Sequence, residues 1–188
     1  MDKEIKITGK ILHLDGDKKY SEKAQNFYNK AKLRAVVRNI SEEMQAKFVV
    51  ELLMKHRPDI LVVTGHDSML KQGRNYYDIY NYKNSRHFVK TVQEARKWER
   101  GSDNLVIFAG ACQSYYEALI KSGADFASSP GRILIDDLDP LIVANKVATT
   151  ERNKFITARD IQKELKEGGK AIGGIGARGK WNKIVTTM

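Results

Sequence analysis

The sequence predicts an α/β fold of three layers, a mostly parallel central sheet with helices on both faces and a flavodoxin-like strand order. Short apolar segments alternate with longer, charged segments of helical periodicity, as in a chain of strand–helix units. Ile60–Val63 and Leu105–Phe108 are hydrophobic throughout, which is typical of central parallel strands buried on both faces. With 41% hydrophobic residues among 188, one domain can bury a proper core.

The individual elements follow from this alternation in chain order. Strands are expected at Lys10–Leu14, Leu33–Arg38, Ile60–Thr64, Asn104–Phe108 and within Asp125–Ile135. Helices are expected at Ser21–Lys32, Ser41–His56, Asn84–Arg100, Gln113–Ser122 and Asp139–Val147. Ser41 is the expected N-cap of the second helix, and Pro58 marks its exit. In a flavodoxin-like order of 2-1-3-4-5, strands 1, 3 and 4 are neighbours.

Two segments depart from the regular pattern. Residues 67–85 are polar and tyrosine-rich, so we expect a long loop or small insertion above the sheet. Residues 168–180 contain six glycines, which predicts turns or mobile chain. Because no repeat or linker divides the sequence, residues 1–188 are interpreted as a single domain with a Gly-rich tail at about 168–188.

Composition narrows the class of protein. No apolar run approaches the roughly 18 residues of a membrane span, and no secretory signal is visible at the N-terminus. A lone cysteine excludes an internal disulfide and fits a reducing, cytoplasmic setting, and with four histidines it argues against structural zinc. The net charge of +10 is spread along the chain, so a basic nucleic-acid-binding module remains only as a non-enzymatic alternative.

Reactive side chains follow three strands that the predicted order makes neighbours. Asp15 and Asp17 follow strand 1, His66 and Asp67 follow strand 3, and Cys112 follows strand 4. Because the carboxyl ends of parallel strands meet at one edge of a sheet, these side chains are expected to lie together.

This combination suits a cysteine nucleophile. A thiol with its ordinary pKa of roughly 8.5 attacks only as the thiolate, which an imidazole and the start of the next helix would favour. Cys112 would be the nucleophile and His66 the general base, with the backbone N–H groups of Cys112 and Asp67 donating to the oxyanion. No metal or organic cofactor is required.

Other interpretations of the same residues exist. A lone cysteine after a strand is commonly a small buried hydrophobe, and Asp15 and Asp17 can be simple turn formers around a glycine. A receiver-like module would also carry acids after strand 1, but strand 3 here ends in Thr-Gly-His. An amidotransferase-type enzyme would have its cysteine before its histidine in the chain.

Four motifs identify a family resemblance: "ILHLDGD", "PDILVVTGHD", "LVIFAGACQSYYEALIKSGADFASSPGRILIDDLDP" and "GGIGARGK". Between about Gly9 and Lys180 the chain resembles the caspase-like (clan CD) cysteine peptidases, and within them the family of the sporulation peptidase YabG. The resemblance implies a cysteine endopeptidase that cleaves after Arg and processes spore-coat and germination proteins, located in the sporulating mother cell or at the spore coat. Members usually carry an extra N-terminal region that this chain lacks, which suggests a catalytic domain or processed form.

The resemblance also implies how Arg is recognised. In related peptidases an acid beyond strand 1 lines the pocket, which favours Asp15 and Asp17, followed by Asp67 and then Asp136 and Asp137. Two departures are visible: Gly110 stands where a second acid is common, and the histidine is followed by Asp67 instead of glycine. Arg152, Arg178 and an exposed "GARGKW" segment are candidate sites of self-cleavage.

Overall fold

The computed structural model describes residues 3–71 and 75–186. Its strands are β1 Lys3–Ile7, β2 Ile11–Asp15, β3 Ala35–Asn39, β4 Ile60–Thr64, β5 Val106–Ala109, β6 Phe126–Ser128, β7 Phe155–Ile156, β8 Ile172–Gly174, β9 Ala177–Arg178 and β10 Asn182–Thr186. Its helices are α1 Lys18–Lys30, α2 Glu42–His56, α3 Ser85–Trp98, α4 Tyr116–Ser122, α5 Asp139–Thr149 and α6 Ala158–Gln162, with 3₁₀ turns at Ile79–Asn81 and Gly168–Lys170.

The central sheet has six strands in the order β3-β2-β4-β5-β6-β8. The first five run parallel and give the predicted 2-1-3-4-5 order. The predicted α/β class, with a mostly parallel sheet, is therefore confirmed. The ends of β2, β4 and β5 lie side by side, which places the segments that follow them at one edge.

Alternate residues of each central strand enter two separate apolar cores. Ile11 and Val62 face the core formed with α1, α5 and α6, whereas Leu12, Leu61 and Val63 face the core formed with α2, α3 and α4. Strands that are buried on both faces require helices on both sides, because an uncovered apolar face would remain in water. This period-2 alternation is the physical origin of the three layers.

The Gly-rich segment forms a 3₁₀ turn at Gly168–Lys170, as its composition predicted, but two stretches of it belong to strands. Residues 172–174 form β8, which pairs antiparallel with β6 and closes that edge of the sheet. Its glycines permit a close approach: a Cβ at Gly173 would lie 2.7 Å from the Tyr116 hydroxyl oxygen, and one at Gly174 would overlap the Asp125 carbonyl. Glycine here serves strand packing.

Three further sequence expectations are corrected. The helix predicted from Gln113 begins at Tyr116, because Gln113 has φ +56° and its N–H donates to the Ile133 carbonyl. The segment predicted to be exposed around Arg178 is mostly buried, and Arg178 itself belongs to β9, which pairs with β7. β1 pairs with β10, and neither was predicted.

The long loop predicted after His66 is largely irregular, with a 3₁₀ turn and a Met69–Tyr82 bridge; its residues 72–74 lie outside the described part. Among residues 3–71 and 75–186, no helix combines the length and apolar character needed to cross a membrane.

Candidate active site

A cleft of about 460 Å³ opens beyond the carboxyl ends of β2, β4 and β5, between α1 and α5. Cys112 and His66 both line it, together with four of the five carboxylates named from the sequence: Asp15, Asp67, Asp136 and Asp137. Its walls also include Lys19 and Lys23 of α1, and Pro140 and Leu141 of the first turn of α5. A second cleft of about 480 Å³, near α5 and α6, is lined by neither cysteine nor histidine.

The loop that carries Cys112 is held by two serine hydroxyls. Ser114 Oγ accepts from the Ala111 N–H at 2.9 Å, and Ser128 Oγ donates to the Ala111 carbonyl at 2.7 Å. The thiol is half-buried, with Sγ 3.7 Å from the Ile135 carbonyl oxygen. Both peptide groups of Ala111 are thereby fixed, so the backbone that presents the thiol has little freedom.

Gly110 is required two residues before Cys112. Its φ is +112°, and a Cβ there would overlap the Ser128 hydroxyl that fixes the cysteine loop. An acidic side chain of the kind common at this position in related peptidases would not fit this backbone. The departure noted in the sequence therefore has a steric cause.

The surroundings of Cys112 favour the thiol over the thiolate. Burial raises the pKa of Cys112, and the carboxylates of Asp67 and Asp139 raise it further. The predicted help from a helix N-terminus is absent, because α4 begins four residues later at Tyr116. Attack by this sulfur therefore needs a base to remove its proton.

His66 lies in the loop after β4 and is anchored at both ends. The backbone N–H of His66 donates to Glu42 Oε1 at 2.7 Å, and the ring atom Nε2 lies 2.7 Å from Asp17 Oδ2. The Glu42 carboxylate packs so closely on Gly16 and Gly65 that a Cβ at either would overlap it. A side chain at either glycine would displace the carboxylate that holds the His66 backbone.

Asp17 pairs with His66 and also forms the N-cap of α1. Its Oδ1 accepts from the Tyr20 N–H at 3.0 Å while Oδ2 contacts the imidazole. The hydrogen bond from His66 is the main cause that lowers the pKa of Asp17, and the cap bond adds to it. Asp17 was predicted as part of an Arg pocket, but its acceptor atoms are engaged with the histidine and the helix.

Asp15 is buried in a hydrogen-bonded network that includes His13 and Thr64. Asp15 Oδ1 accepts from the Asp17 N–H at 2.8 Å, and Oδ2 accepts from Thr64 Oγ1 at 2.7 Å. Burial acts to raise the pKa of Asp15, but the His13 ring, Thr64 and the Asp17 N–H together lower it. Asp15 supports the turn that carries Asp17.

Asp67 links the loops that carry His66 and Cys112 to α3. Its Oδ2 accepts from Ser85 Oγ at 2.5 Å and from Ser114 Oγ at 2.8 Å. Its Oδ1 accepts from the backbone N–H groups of Ser68 and Asn84 at 2.9 and 2.7 Å. Burial raises the pKa of Asp67 even though these four bonds oppose the shift.

Asp136 and Asp137 form the wall of the cleft opposite β4. Asp137 pairs with Lys23 of α1 across the cleft, and Asp136 Oδ1 accepts from the Leu138 N–H at 2.9 Å. Burial acts to raise the pKa of Asp137, but its hydrogen bonds with Lys23 and Asp136 lower it. The neighbouring Asp139 is buried, and that burial raises its pKa to about 6. Of these three acids, Asp137 is the one paired with an exposed lysine side chain.

Several of these supporting residues were not found from the sequence. Glu42 looks like an ordinary first-turn acid of α2, and Ser85, Ser114 and Ser128 look like ordinary loop polar residues. The one available signal was position, because Ser114 lies two residues after the only cysteine. Among the described residues, no three histidine, cysteine, aspartate or glutamate side chains are grouped to hold a metal ion.

Comparison with known proteins agrees with the resemblance drawn from the motifs. The family model described as YabG peptidase U57 matches residues 1–186. The chain is also 44% identical over 173 residues to the sporulation-specific protease YabG of Bacillus subtilis (strain 168). That alignment covers 92% of this chain and 60% of the relative, so the chain spans about three fifths of the relative's length. Because the family model matches nearly every residue, the chain belongs to the YabG peptidase family.

Proposed function

We propose that residues 1–188 form the catalytic domain of a cysteine endopeptidase that acts in sporulation and cleaves after Arg. The observation that carries the proposal is that Cys112 and His66 line one open cleft, in a chain of a peptidase family. The relative's name supports a protease role in sporulation. The proposed substrates are spore-coat and germination proteins, met in the mother-cell cytoplasm or at the coat.

In the proposed reaction, His66 removes the thiol proton as Sγ of Cys112 attacks the carbonyl carbon after the Arg. The backbone N–H groups of Cys112 and Asp67 donate to the oxyanion. The imidazolium then protonates the leaving amine, the C–N bond breaks, and a thioester remains. Water, deprotonated by His66, hydrolyses the thioester and restores the thiol.

A neutral resting thiol fits this assignment of roles. The pKa of Cys112 is raised by burial and by nearby carboxylates, so the sulfur is not held as a preformed thiolate. General-base removal of the proton during attack therefore becomes a necessary step. The acids of the cleft also attract a cationic side chain, whose charge would offset the field that keeps the thiol protonated.

The Arg side chain is assigned to Asp136 and Asp137, which reverses the order favoured by the sequence. Asp15, Asp17 and Asp67 each have both carboxylate oxygens engaged by internal donors. Lys23, by contrast, is an exposed side chain that can leave Asp137 when a guanidinium enters. Because Asp137 can exchange this exposed lysine for another cation, it is the better receptor for a substrate Arg.

Two substitutions test these assignments with a fluorogenic Arg peptide. Cys112→Ala should reduce turnover to background, and iodoacetamide should do the same to the wild type, whose only cysteine is Cys112. Asp137→Asn should lower kcat/KM on the Arg peptide roughly 10- to 100-fold, the value of one charged hydrogen bond. A matched peptide with Gln in place of Arg serves as the control, and its turnover should not change. Retained activity in Cys112→Ala would refute the nucleophile.

The same assignments bear on self-cleavage. Arg152 lies on an exposed turn and pairs with Asp59 at 3.2 Å, so it remains the accessible candidate. Arg178 lies in a strand and would have to leave the sheet to enter a cleft. Mass spectrometry of stored enzyme should therefore find cleavage after Arg152 before any after Arg178, and an intact mass throughout would end the idea.

A further inference from the structure

We propose that Asp17 is the positioning residue of His66, so that the dyad acts as a Cys112–His66–Asp17 triad. This inference rests on the proposed function for its kinetic consequences. It starts from the 2.7 Å contact between Asp17 Oδ2 and His66 Nε2. The His66 side chain is 54% exposed, so without such a partner its ring would be free to rotate in solvent.

The carboxylate is not a flexible surface group. Its second oxygen accepts the Tyr20 N–H at 3.0 Å as the N-cap of α1, and this bond fixes the side chain on the helix. The Tyr20 ring packs against the imidazole, with ring centroids 5.6 Å apart at 60°. One turn of chain therefore supplies both the hydrogen-bond acceptor and the ring that confine His66.

The backbones on both sides of the contact are fixed as well. The Asp17 N–H donates to Asp15 Oδ1 at 2.8 Å, and the His66 N–H donates to Glu42 Oε1 at 2.7 Å. Because Asp15 ends β2 and Thr64 ends the adjacent β4, the sheet register determines how far apart the two loops begin. The carboxylate–imidazole distance is thus set by the fold.

Behind Asp15 lies a buried chain of hydrogen bonds with a defined direction. Thr64 Oγ1 donates its one proton to Asp15 Oδ2, so His13 Nε2 must be the donor to Thr64 Oγ1 at 2.6 Å. His13 Nδ1 lies 2.8 Å from the Tyr28 hydroxyl oxygen, which extends the chain to α1. This chain orients Asp15, and Asp15 in turn holds the Asp17 backbone.

The contact determines which nitrogen of His66 does the chemistry. A carboxylate accepts, so it selects the neutral tautomer with the proton on Nε2. Nδ1 is then left with the lone pair that takes the thiol proton, and the carboxylate stabilises the imidazolium that forms. In serine peptidases the matching Asp-to-Asn change costs about 10⁴ in kcat because the imidazole adopts the wrong tautomer.

The test compares Asp17→Asn with the wild type on paired Arg and Lys peptides. Asparagine caps helices as well as aspartate does, so the variant keeps the start of α1. We expect kcat to fall roughly 10²- to 10⁴-fold, with KM changed less than about threefold and the Arg/Lys preference unchanged. Asp78→Asn is the matched control, because Asp78 is an exposed N-cap of another turn, and it should keep full activity.

Two kinetic results would overturn the proposal. An unchanged kcat in Asp17→Asn would mean that the contact does not serve the reaction. A raised KM with a lost preference for Arg over Lys would mean that Asp17 binds the substrate cation.

A second readout does not depend on peptidase activity. In the unreactive Cys112→Ala background, ¹⁵N NMR of the His66 ring should show the proton on Nε2, and adding Asp17→Asn should shift the ring toward a mixture of tautomers. The same tautomer in both proteins would overturn the inference. Failure of the proposed function is recognised separately, as an inactive wild type or an active Cys112→Ala variant, and the NMR comparison then decides alone.

Discussion

Removal of the Asp67 carboxylate should destabilise the protein through the four donors that it satisfies. In Asp67→Ala, the hydroxyls of Ser85 and Ser114 lose their acceptor, and both residues are fully buried. Each buried group left unsatisfied costs about 1–3 kcal/mol, which gives roughly 2–6 kcal/mol for the pair. Relief of burying a charge offsets part of this, since burial already raises the pKa of Asp67. We expect a net loss of about 3 kcal/mol.

Urea unfolding followed by circular dichroism measures this loss, with the slope m expected to stay constant. In thermal unfolding, a loss of this size lowers Tm by roughly 6–12 °C for a chain of this length. Asp67→Asn should lose less, because its amide can donate to hydroxyls that are also able to accept. Asp78→Ala, which removes only an exposed cap, should cost about 1 kcal/mol at most. If Asp67→Ala loses no more free energy of unfolding than Asp78→Ala, the reasoning is refuted.

Four further outcomes are expected. Gly110→Ala should lower the free energy of unfolding by roughly 1–3 kcal/mol, because φ is +112° and a Cβ would overlap the Ser128 hydroxyl. Gly101→Ala is the control and should be close to neutral, because a Cβ there would lie 3.8 Å from its nearest neighbour. Equal urea midpoints for the two variants would contradict this. Asp139→Asn should speed alkylation of Cys112 at pH 7, because it removes a carboxylate that raises the thiol pKa; an unchanged rate would count against it. The pKa of the Asp139 carboxyl is raised from 3.8 to about 6, so this group stabilises the fold below about pH 4 and loses that contribution as pH rises through 6. Asp139→Asn should therefore flatten this part of the stability–pH curve. An equally steep curve in the variant would contradict the prediction. Lys23→Met should lower KM for the Arg peptide and not for the Gln peptide, since it frees the partner carboxylate; equal changes would argue against an Arg pocket there.

The central sheet was predictable because its signals are local and strong. Ile60–Thr64 begins with four consecutive aliphatic residues and forms β4 with the predicted bounds, and the order of five strands follows from right-handed strand–helix–strand units. β8 was missed because a Gly-Gly sequence has no strand propensity of its own, and its strand conformation comes from pairing with β6. Local composition cannot reveal a strand that exists only through a tertiary contact.

In the candidate site, too, local sequence predicts some features, and others depend on tertiary contacts. That His66 and Cys112 would follow neighbouring strands depends only on strand order, which the alternation of apolar and charged segments indicates. Which group each acid contacts depends on side-chain rotamers and on loops that fold back, such as the turn that brings Ser114 to Asp67. Sequence position and the family resemblance ranked Asp15 and Asp17 ahead of Asp67 as acids of an Arg pocket. Their hydrogen-bond partners give them different roles.

Under the proposed function, the partners of these acids also explain why several carboxylates can lie near Cys112 without competing for one substrate cation. Asp67 is engaged by buried hydroxyls and Asp15 by a buried network, so neither can turn toward a guanidinium without leaving donors unsatisfied. Their charges nevertheless remain, and that of Asp67 raises the pKa of Cys112. Only an acid whose partner is solvent-exposed, as Asp137 is with Lys23, can exchange that partner for a substrate at little cost. Recognition should therefore be lost by substitution on the α5 side of the cleft, and turnover by substitution at the end of β2.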